Sequence, residues 1–312
     1  MAEQSGILRE AARRVWKSQR ILWWFFFVNL VLASLSTRPL SIRLAQVTDH
    51  SLQSQRLVQG FDLGTYSELI SNPDVARGSA MSESNSAIFI FLIFALFLTG
   101  GILATYLSDF KLATSQFFEA CGTFFWRYAR LFIFMAIVIS PILFVSYELL
   151  AWSGRVIFDH GGPEKTGYWM CLATLLLTTF VMMCVRLWFD MAQVRALVED
   201  ERVMRHTLAR SFRLTSSNFG SLFWLYFRIS FLAWLGLLLG MWLWTRISGQ
   251  RSGLSFSVFE IVLLWWLGTR LWQRASEVVW YQRHVVAAAA AVPVVETAPV
   301  PGPPTADSLP TT

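Results

Sequence analysis

Six long, predominantly apolar blocks constrain this chain more than any other feature. They cover residues 21–37, 87–107, 131–152, 168–189, 222–244 and 256–272. Blocks of about 17–25 apolar residues match the hydrocarbon thickness of a bilayer. Hydrocarbon offers the backbone no water, so each block must satisfy its own N–H and C=O groups as a helix. The alternative, a buried helix of a large soluble core, is rarely this long or this uncharged. Charged residues make up only 15% of the chain, against about 25% in soluble domains. The expected fold is all-α and polytopic: six transmembrane helices arranged as three hairpins, with interfacial helices on the cytoplasmic side. Pro141, inside the third block, is expected to kink it and free a carbonyl one turn earlier.

The charge pattern orients the expected bundle. The chain carries a net +6, but the basic residues are not clustered as a nucleic-acid surface would require. With the N-terminus in the cytoplasm, 17 of the 26 Lys and Arg fall on the inner side, eight on the outer, and Arg228 within a span. That asymmetry follows the positive-inside rule and places both termini in the cytoplasm of a bacterial inner (plasma) membrane. Trp126, Trp188, Trp224 and Trp272 then fall at inner ends, and Trp152, Trp169, Trp242 and Trp244 at outer ends, where aromatic belts sit. Trp23, Trp24 and the phenylalanines of the first block suit a retained anchor better than a cleaved signal. Cys121, Cys171 and Cys184 form no CxxC and no even framework, so neither a zinc site nor a disulfide scaffold is expected. No span contains histidine, which leaves no bis-histidine haem arrangement; no cofactor is expected.

A degenerate repeat runs through residues 1–284, the expected membrane domain. Each unit reads as an amphipathic segment, a span out, a loop and a span back. The returning spans end in TYLSD (105–109), RLWFD (186–190) and RLWQR (270–274). The amphipathic segments are ILREAARRVWKSQR, TSQFFEACGTFFWRYAR and MRHTLARSFRLTSSNFG. In the third, Met204, Leu208 and Phe212 recur at i, i+4 and i+8, while Arg202, Arg205, Arg210 and Arg213 line another face. Such a helix is expected to lie along the inner headgroups, with its arginines on anionic phospholipid and Asp200 capping its start. Gly236 and Gly240, in GLLLG, and the pair Gly100-Gly101 are positions of close helix contact. Residues 36–85 form a long outer loop, and the Ala- and Pro-rich tail, 285–312, is expected to be disordered.

Ionisable residues inside a membrane are the default functional candidates. Arg186 and Asp190, four residues apart, are expected to pair where the fourth span leaves the bilayer, with Arg186 snorkelling to the interface. Glu260, an acid early in the sixth span, is the second candidate; a proton- or cation-coupled transporter could use it, though a hydrated outer-interface carboxylate is the simpler account. Glu148, Arg228 and Arg270 also qualify by position. Asp49-His50 and Asp159-His160 fall in expected outer loops, where hydrated histidines are a simpler reading than a metal or acid–base site. No phosphate-binding loop, HExxH, nucleophile elbow or dinucleotide fingerprint occurs, and no catalytic or metal-binding residue is assigned.

The stretch VEDERVMRHTLARSFRLTSSNFGSLFWLY (198–226) carries Ala209, Ser211-Phe212-Arg213-Leu214 and Asn218-Phe219 in a pattern that FFEACGTFFWRYARLF echoes. It resembles the repeated element of bacterial six-helix membrane domains. These include the membrane domain attached to some glycerophosphodiester phosphodiesterases, and related stand-alone proteins. The resemblance implies fold and location only, because in the phosphodiesterases the chemistry belongs to a separate soluble domain. The expected function is non-enzymatic: organising the membrane or binding a membrane-protein partner or a second copy of itself, with the bilayer and anionic headgroups as lipid partners and no nucleic acid. The alternative is a transporter or permease for a small molecule or ion.

Overall fold

The computed structural model describes residues 2–48, 64, 67–68, 71, 79–108, 112–159, 164–201, 203–247 and 252–290. Eight helices account for nearly all of them: α1 (Ala2–Lys17), α2 (Gln19–Thr48), α3 (Ser79–Ser108), α4 (Thr114–Asp159), α5 (Glu164–Val198), α6 (Met204–Ser217), α7 (Phe219–Arg246) and α8 (Ser252–Tyr281). A π-helical turn (Gln282–Val286) carries α8 on into Ala287–Ala290, six residues into the segment expected to be disordered; the rest of that tail lies outside the described residues. Six helices, α2, α3, α4, α5, α7 and α8, are long and apolar enough to cross a membrane. Each contains one of the six apolar blocks. The chain is an all-α, multi-pass integral membrane protein.

Neighbouring spans pack in sequence as α2/α3, α4/α5 and α7/α8, and α3 also packs on α4. Helix α8 is the hub, touching α1, α2, α3, α5 and α7. Helix α4 continues through Pro141, whose side is exposed. The long loop is shorter than expected, since α2 runs to Thr48 and α3 starts at Ser79.

Close packing is concentrated at the end of the bundle that carries α1 and α6. There α5 and α8 do not stop at their RLW motifs. Met191, Ala192, Val194 and Ala196 of α5, and Ala275, Val278, Val279, Trp280 and Tyr281 of α8, are buried beyond them. Helix α5 therefore continues for two turns beyond the Arg186–Asp190 pair. Toward the other end, Phe144, Leu176, Leu238, Trp242 and Phe256 are exposed, as side chains facing acyl chains can be without loss.

The repeat has a structural counterpart. Each short segment packs on a returning span of the preceding unit, taken cyclically: α1 on α8, the start of α4 on α3, and α6 on α5. The RLW tryptophans make the same bond in two units. Trp188 Nε1 donates to the Leu208 carbonyl at 2.9 Å, and Trp272 Nε1 donates to the Leu8 carbonyl at 2.9 Å. In the middle unit glycine replaces this latch. A Cβ on Gly101 would lie 2.6 Å from Cys121 Sγ and from the Phe117 ring, and one on Gly100 would lie 2.8 Å from the Ala120 carbonyl. The GLLLG glycines serve the same purpose on α7, where added methyls would overlap Trp265 at Gly236 and Val262 at Gly240.

One expectation for α6 is corrected. Its first turn follows Val203 without a side-chain cap; Asp200 instead sits at a φ of 47° and accepts from Arg127 Nη1 at 2.5 Å. Its buried face is Met204, Thr207, Ser211 and Thr215, while Phe212 is exposed and rests edge-on against Trp188. Small side chains allow α6 to approach its neighbours closely and leave Phe212 on the side away from the bundle. Asn218 ends the helix, its backbone N–H and its side-chain amide both donating to the Leu214 carbonyl.

Candidate functional site: a charged floor beneath an intramembrane cavity

A cavity of about 860 Å³ lies within the bundle, and all six spans line it. Its walls are mostly apolar, with Phe25, Ile102, Met135, Met182, Ile229, Trp234, Leu263 and Trp266, and include the polar Asn29, Thr99, Thr178, Thr179 and Ser230. The floor, toward the α1/α6 end, is built from Arg186, Asp190 and Gln193 of α5 and Arg270, Gln273 and Arg274 of α8. These positions fall at i, i+4, i+7 on α5 and at i, i+3, i+4 on α8, which puts each set on one helical face. Because α5 and α8 pack together, the two faces meet.

Repeat alignment through RLWFD and RLWQR makes Arg186 equivalent to Arg270, Asp190 to Arg274, and Gln193 to Glu277. One equivalent pair has opposite charge, and the fold brings its members together. Asp190 Oδ1 is 3.8 Å from Arg274 Nη2, and Asp190 Oδ2 is 3.7 Å from Arg186 Nε. Arg274 Nη1 also donates to Gln193 Oε1 at 2.6 Å. Arg270 Nη1 donates to Gln273 Oε1 at 3.1 Å, and no carboxylate among the described residues lies within ion-pair distance of it. The Gln273 side chain is buried and its Nε2 has no hydrogen-bond partner there. Glu277 is buried behind the floor with neither carboxylate oxygen hydrogen-bonded among the described residues.

The expected Arg186–Asp190 pair is thus present, but as part of a larger cluster. Glu260 is separate: it does not line the cavity and lies about 21 Å from Arg274 along α8, at 1.5 Å per residue. It is half-buried, and its Oε2 is buried without a hydrogen-bond partner among the described residues. Of the α6 arginines, Arg205, Arg210 and Arg213 are exposed, Arg210 pairs with Glu201 at 2.5 Å, and Arg202 lies outside the described residues. Glu148 pairs with Arg155 at 3.8 Å on an exposed surface. Asp49, His50 and His160 lie outside the described residues, and Asp159 ends α4. Among the described residues no three His, Cys, Asp or Glu side chains are grouped to hold a metal ion.

Sequence reasoning placed Arg270 among residues qualifying by position only and counted Arg274 only in the topology signal; it missed Gln273 and Glu277. The signal that would have found them is the polar stripe 270/273/274/277, on one face of a helix otherwise read as ending at Trp272.

Outside the membrane-spanning segments, a second charged cluster ties α1 to the bundle. Arg14, largely buried, donates to the Tyr106 carbonyl, to Gln282 Oε1 at 2.9 Å and to Glu10 Oε1 at 2.6 Å. Gln282 Nε2 reaches the Leu107 carbonyl at 3.0 Å, so side chains from α1 and from beyond α8 satisfy the last-turn carbonyls of α3. Glu10 also accepts from Arg283. Burial raises the Glu10 pKa, but the hydrogen bonds from Arg283 and Arg14 outweigh it and hold the carboxyl below its ordinary value.

No family model, no curated protein and no solved structure matches this chain.

Proposed function

We propose that this integral membrane protein binds a small amphipathic molecule within the bilayer, in the manner of a carrier or permease. The observation that carries this reading is the cavity itself: about 860 Å³, lined by all six spans, with mostly apolar walls above a polar floor. Ligand sites in proteins have volumes of about 300–1,000 Å³, mostly apolar walls and a few placed polar groups. The geometry supports this over the membrane-organising or partner-binding role, for which no surface feature among the described residues specifies an occupant. It supports no bond-making step, since the floor holds no nucleophile beside a base.

The test is cavity filling. Ala233→Trp places an indole where a small buried side chain lines the cavity. The full-length protein in nanodiscs, labelled with a photoactivatable fatty acid, is expected to incorporate the probe at cavity residues such as Met135 or Met182. Ala233→Trp is expected to abolish that labelling without loss of monodispersity. Equal labelling of the two proteins at these sites would remove the reading.

The same proposal sets the α1/α6 end on the cytoplasmic side of a bacterial inner membrane. Exposed Arg205 and Arg213 would then meet anionic headgroups, as the excess of Lys and Arg at that end suggests. Single-cysteine labelling checks this: Ser67 and Thr166, both exposed, should react from outside, and exposed Ser216 only after permeabilisation. Outside labelling of Ser216 would reverse the orientation.

A further inference from the structure

We propose that the cavity floor is an anion seat, built by Arg270, Gln273 and Arg274 to take the acid headgroup of a single-chain amphiphile, a carboxylate or a phosphate monoester. This rests on the reading that the cavity holds a ligand and adds the ligand's chemical class.

Charge is the first argument. The lining residues carry three guanidinium groups, Arg186, Arg270 and Arg274, against one carboxylate, Asp190, with a second, Glu277, buried behind the floor near Arg274 and Arg186, so the guanidinium groups are still in excess. Asp190 serves Arg186 and Arg274 at 3.7 and 3.8 Å, too far for a hydrogen bond, and no carboxylate among the described residues reaches Arg270. A guanidinium at membrane depth without a counter-ion is costly. A bound anion removes that cost, and a bound cation adds to it.

Hydrogen-bond orientation is the second. A glutamine amide can be turned either way, and the network decides which. Here Oε1 of Gln273 must face Arg270, because the reverse would set an NH₂ group against a guanidinium, donor against donor. That choice leaves Nε2 as a buried donor with no partner among the described residues. Arg270 and Gln273, three apart on α8, both line the cavity floor as donors, while the unpartnered carboxylate of Glu277, one turn beyond Gln273, lies buried behind it. An alcohol or amide headgroup could satisfy one of them; an oxyanion with several lone pairs can satisfy both.

The walls settle the rest of the ligand. Above the seat the lining is mostly apolar, with Ile102, Met135, Ile229, Leu263 and Trp266, and Asn29, Thr99, Thr178, Thr179 and Ser230 interspersed; the apolar share suits an acyl or alkyl chain.

The experiment is competition against the photoactivatable fatty acid on the full-length protein in nanodiscs, with laurate, dodecyl phosphate, dodecanol, dodecyltrimethylammonium and inorganic phosphate as competitors. Laurate and dodecyl phosphate are expected to compete, and the stronger of the two identifies the headgroup; dodecanol, the ammonium and inorganic phosphate are not. Arg270→Gln and Gln273→Leu should each weaken the acids about tenfold or more, the range for a charge-assisted bond. Arg270→Lys should keep part of the affinity, and Arg205→Gln, at an exposed site, all of it. If Arg270→Gln proves unstable, Gln273→Leu, which removes no charge, carries the test. Equal competition by dodecanol or the ammonium, or unchanged acid binding in the two seat variants, would overturn the anion seat while the cavity reading survives on Ala233→Trp. Competition by inorganic phosphate as strong as by the amphiphiles would overturn the single-chain ligand. Absence of cavity labelling altogether would overturn both.

Discussion

Removing the Asp190 carboxylate is the most informative perturbation of the cluster. Asp190 is 6% exposed and stands between two guanidinium groups. At about 3.8 Å and an effective dielectric of about 20, one such pair has a Coulomb energy of about 4 kcal/mol before desolvation is subtracted. The Arg186 pair must be discounted, because that side chain is 38% exposed and exposed pairs contribute about 0–1 kcal/mol. Arg274, at 19% exposed, is the partner that matters. Deleting one member of a buried pair strands the other, at a cost of about 3–5 kcal/mol. At about 2–4 °C per kcal/mol, Asp190→Ala should lower the apparent melting temperature by roughly 10 °C. Tryptophan fluorescence reports it directly, with scan rate fixed because membrane proteins often unfold irreversibly. The double variant Asp190→Leu/Arg274→Met removes both charges and should recover most of the loss. Glu277 also feels Arg274 and Arg186, so both measurements are repeated with Glu277→Gln to prevent that carboxylate standing in. A single variant within about 1 °C of the parent, or a double variant no better than the single, would refute the ion-pair account.

Three further outcomes follow from the packing. Alanine normally favours a helix by about 1 kcal/mol over glycine; at Gly101 the sign should reverse, with a loss of about 1–3 kcal/mol from overpacking, partly relieved by Cys121→Ala in a thermal melt. Trp272→Phe keeps the ring but loses the donor to the Leu8 carbonyl, and should raise amide hydrogen exchange in α1 by about fivefold, as loss of about 1 kcal/mol implies. The docking of α1 should also depend on pH through Glu10. Its pKa is lowered on folding, so its contribution is complete above the ordinary value of 4.5 and is lost as pH falls through the lowered native value; hydrogen exchange in α1 should rise across that window, and Glu10→Gln should abolish the dependence.

How much of this was legible depends on what kind of physics fixed each feature. The six spans were legible because bilayer thickness sets their length, whatever their neighbours are. The glycine contacts at 100, 101, 236 and 240 were legible because only a missing side chain admits so close an approach. The limits of α5 and α8 were not. A charge after an apolar run looks like an exit from hydrocarbon, and Arg186–Asp190 was read that way. Both helices run on past their RLW motifs into a layer where Ala192, Val194, Ala196, Ala275 and Val279 are buried. On α6 the apolar periodicity did not show which residues pack on the bundle, because Thr207, Ser211 and Thr215 do so through small side chains.

The pairing of α5 with α8 explains why the cluster could not be assembled from either helix alone. Arg186–Asp190 reads as a self-contained i, i+4 pair, and Arg274 reads as one more basic residue of the flank. The repeat joins them. If the two RLW units descend to equivalent depths, position 190 of one must sit near position 274 of the other, and two like charges there would repel. An aspartate opposite an arginine resolves that conflict and leaves Arg270 as the guanidinium without a carboxylate. The asymmetry sets the charge of the floor: an identical repeat would put either two acids or two bases at these positions, whereas this one sets Asp190 between Arg186 and Arg274 and leaves Arg270, of the same RLWQR unit, lining the cavity.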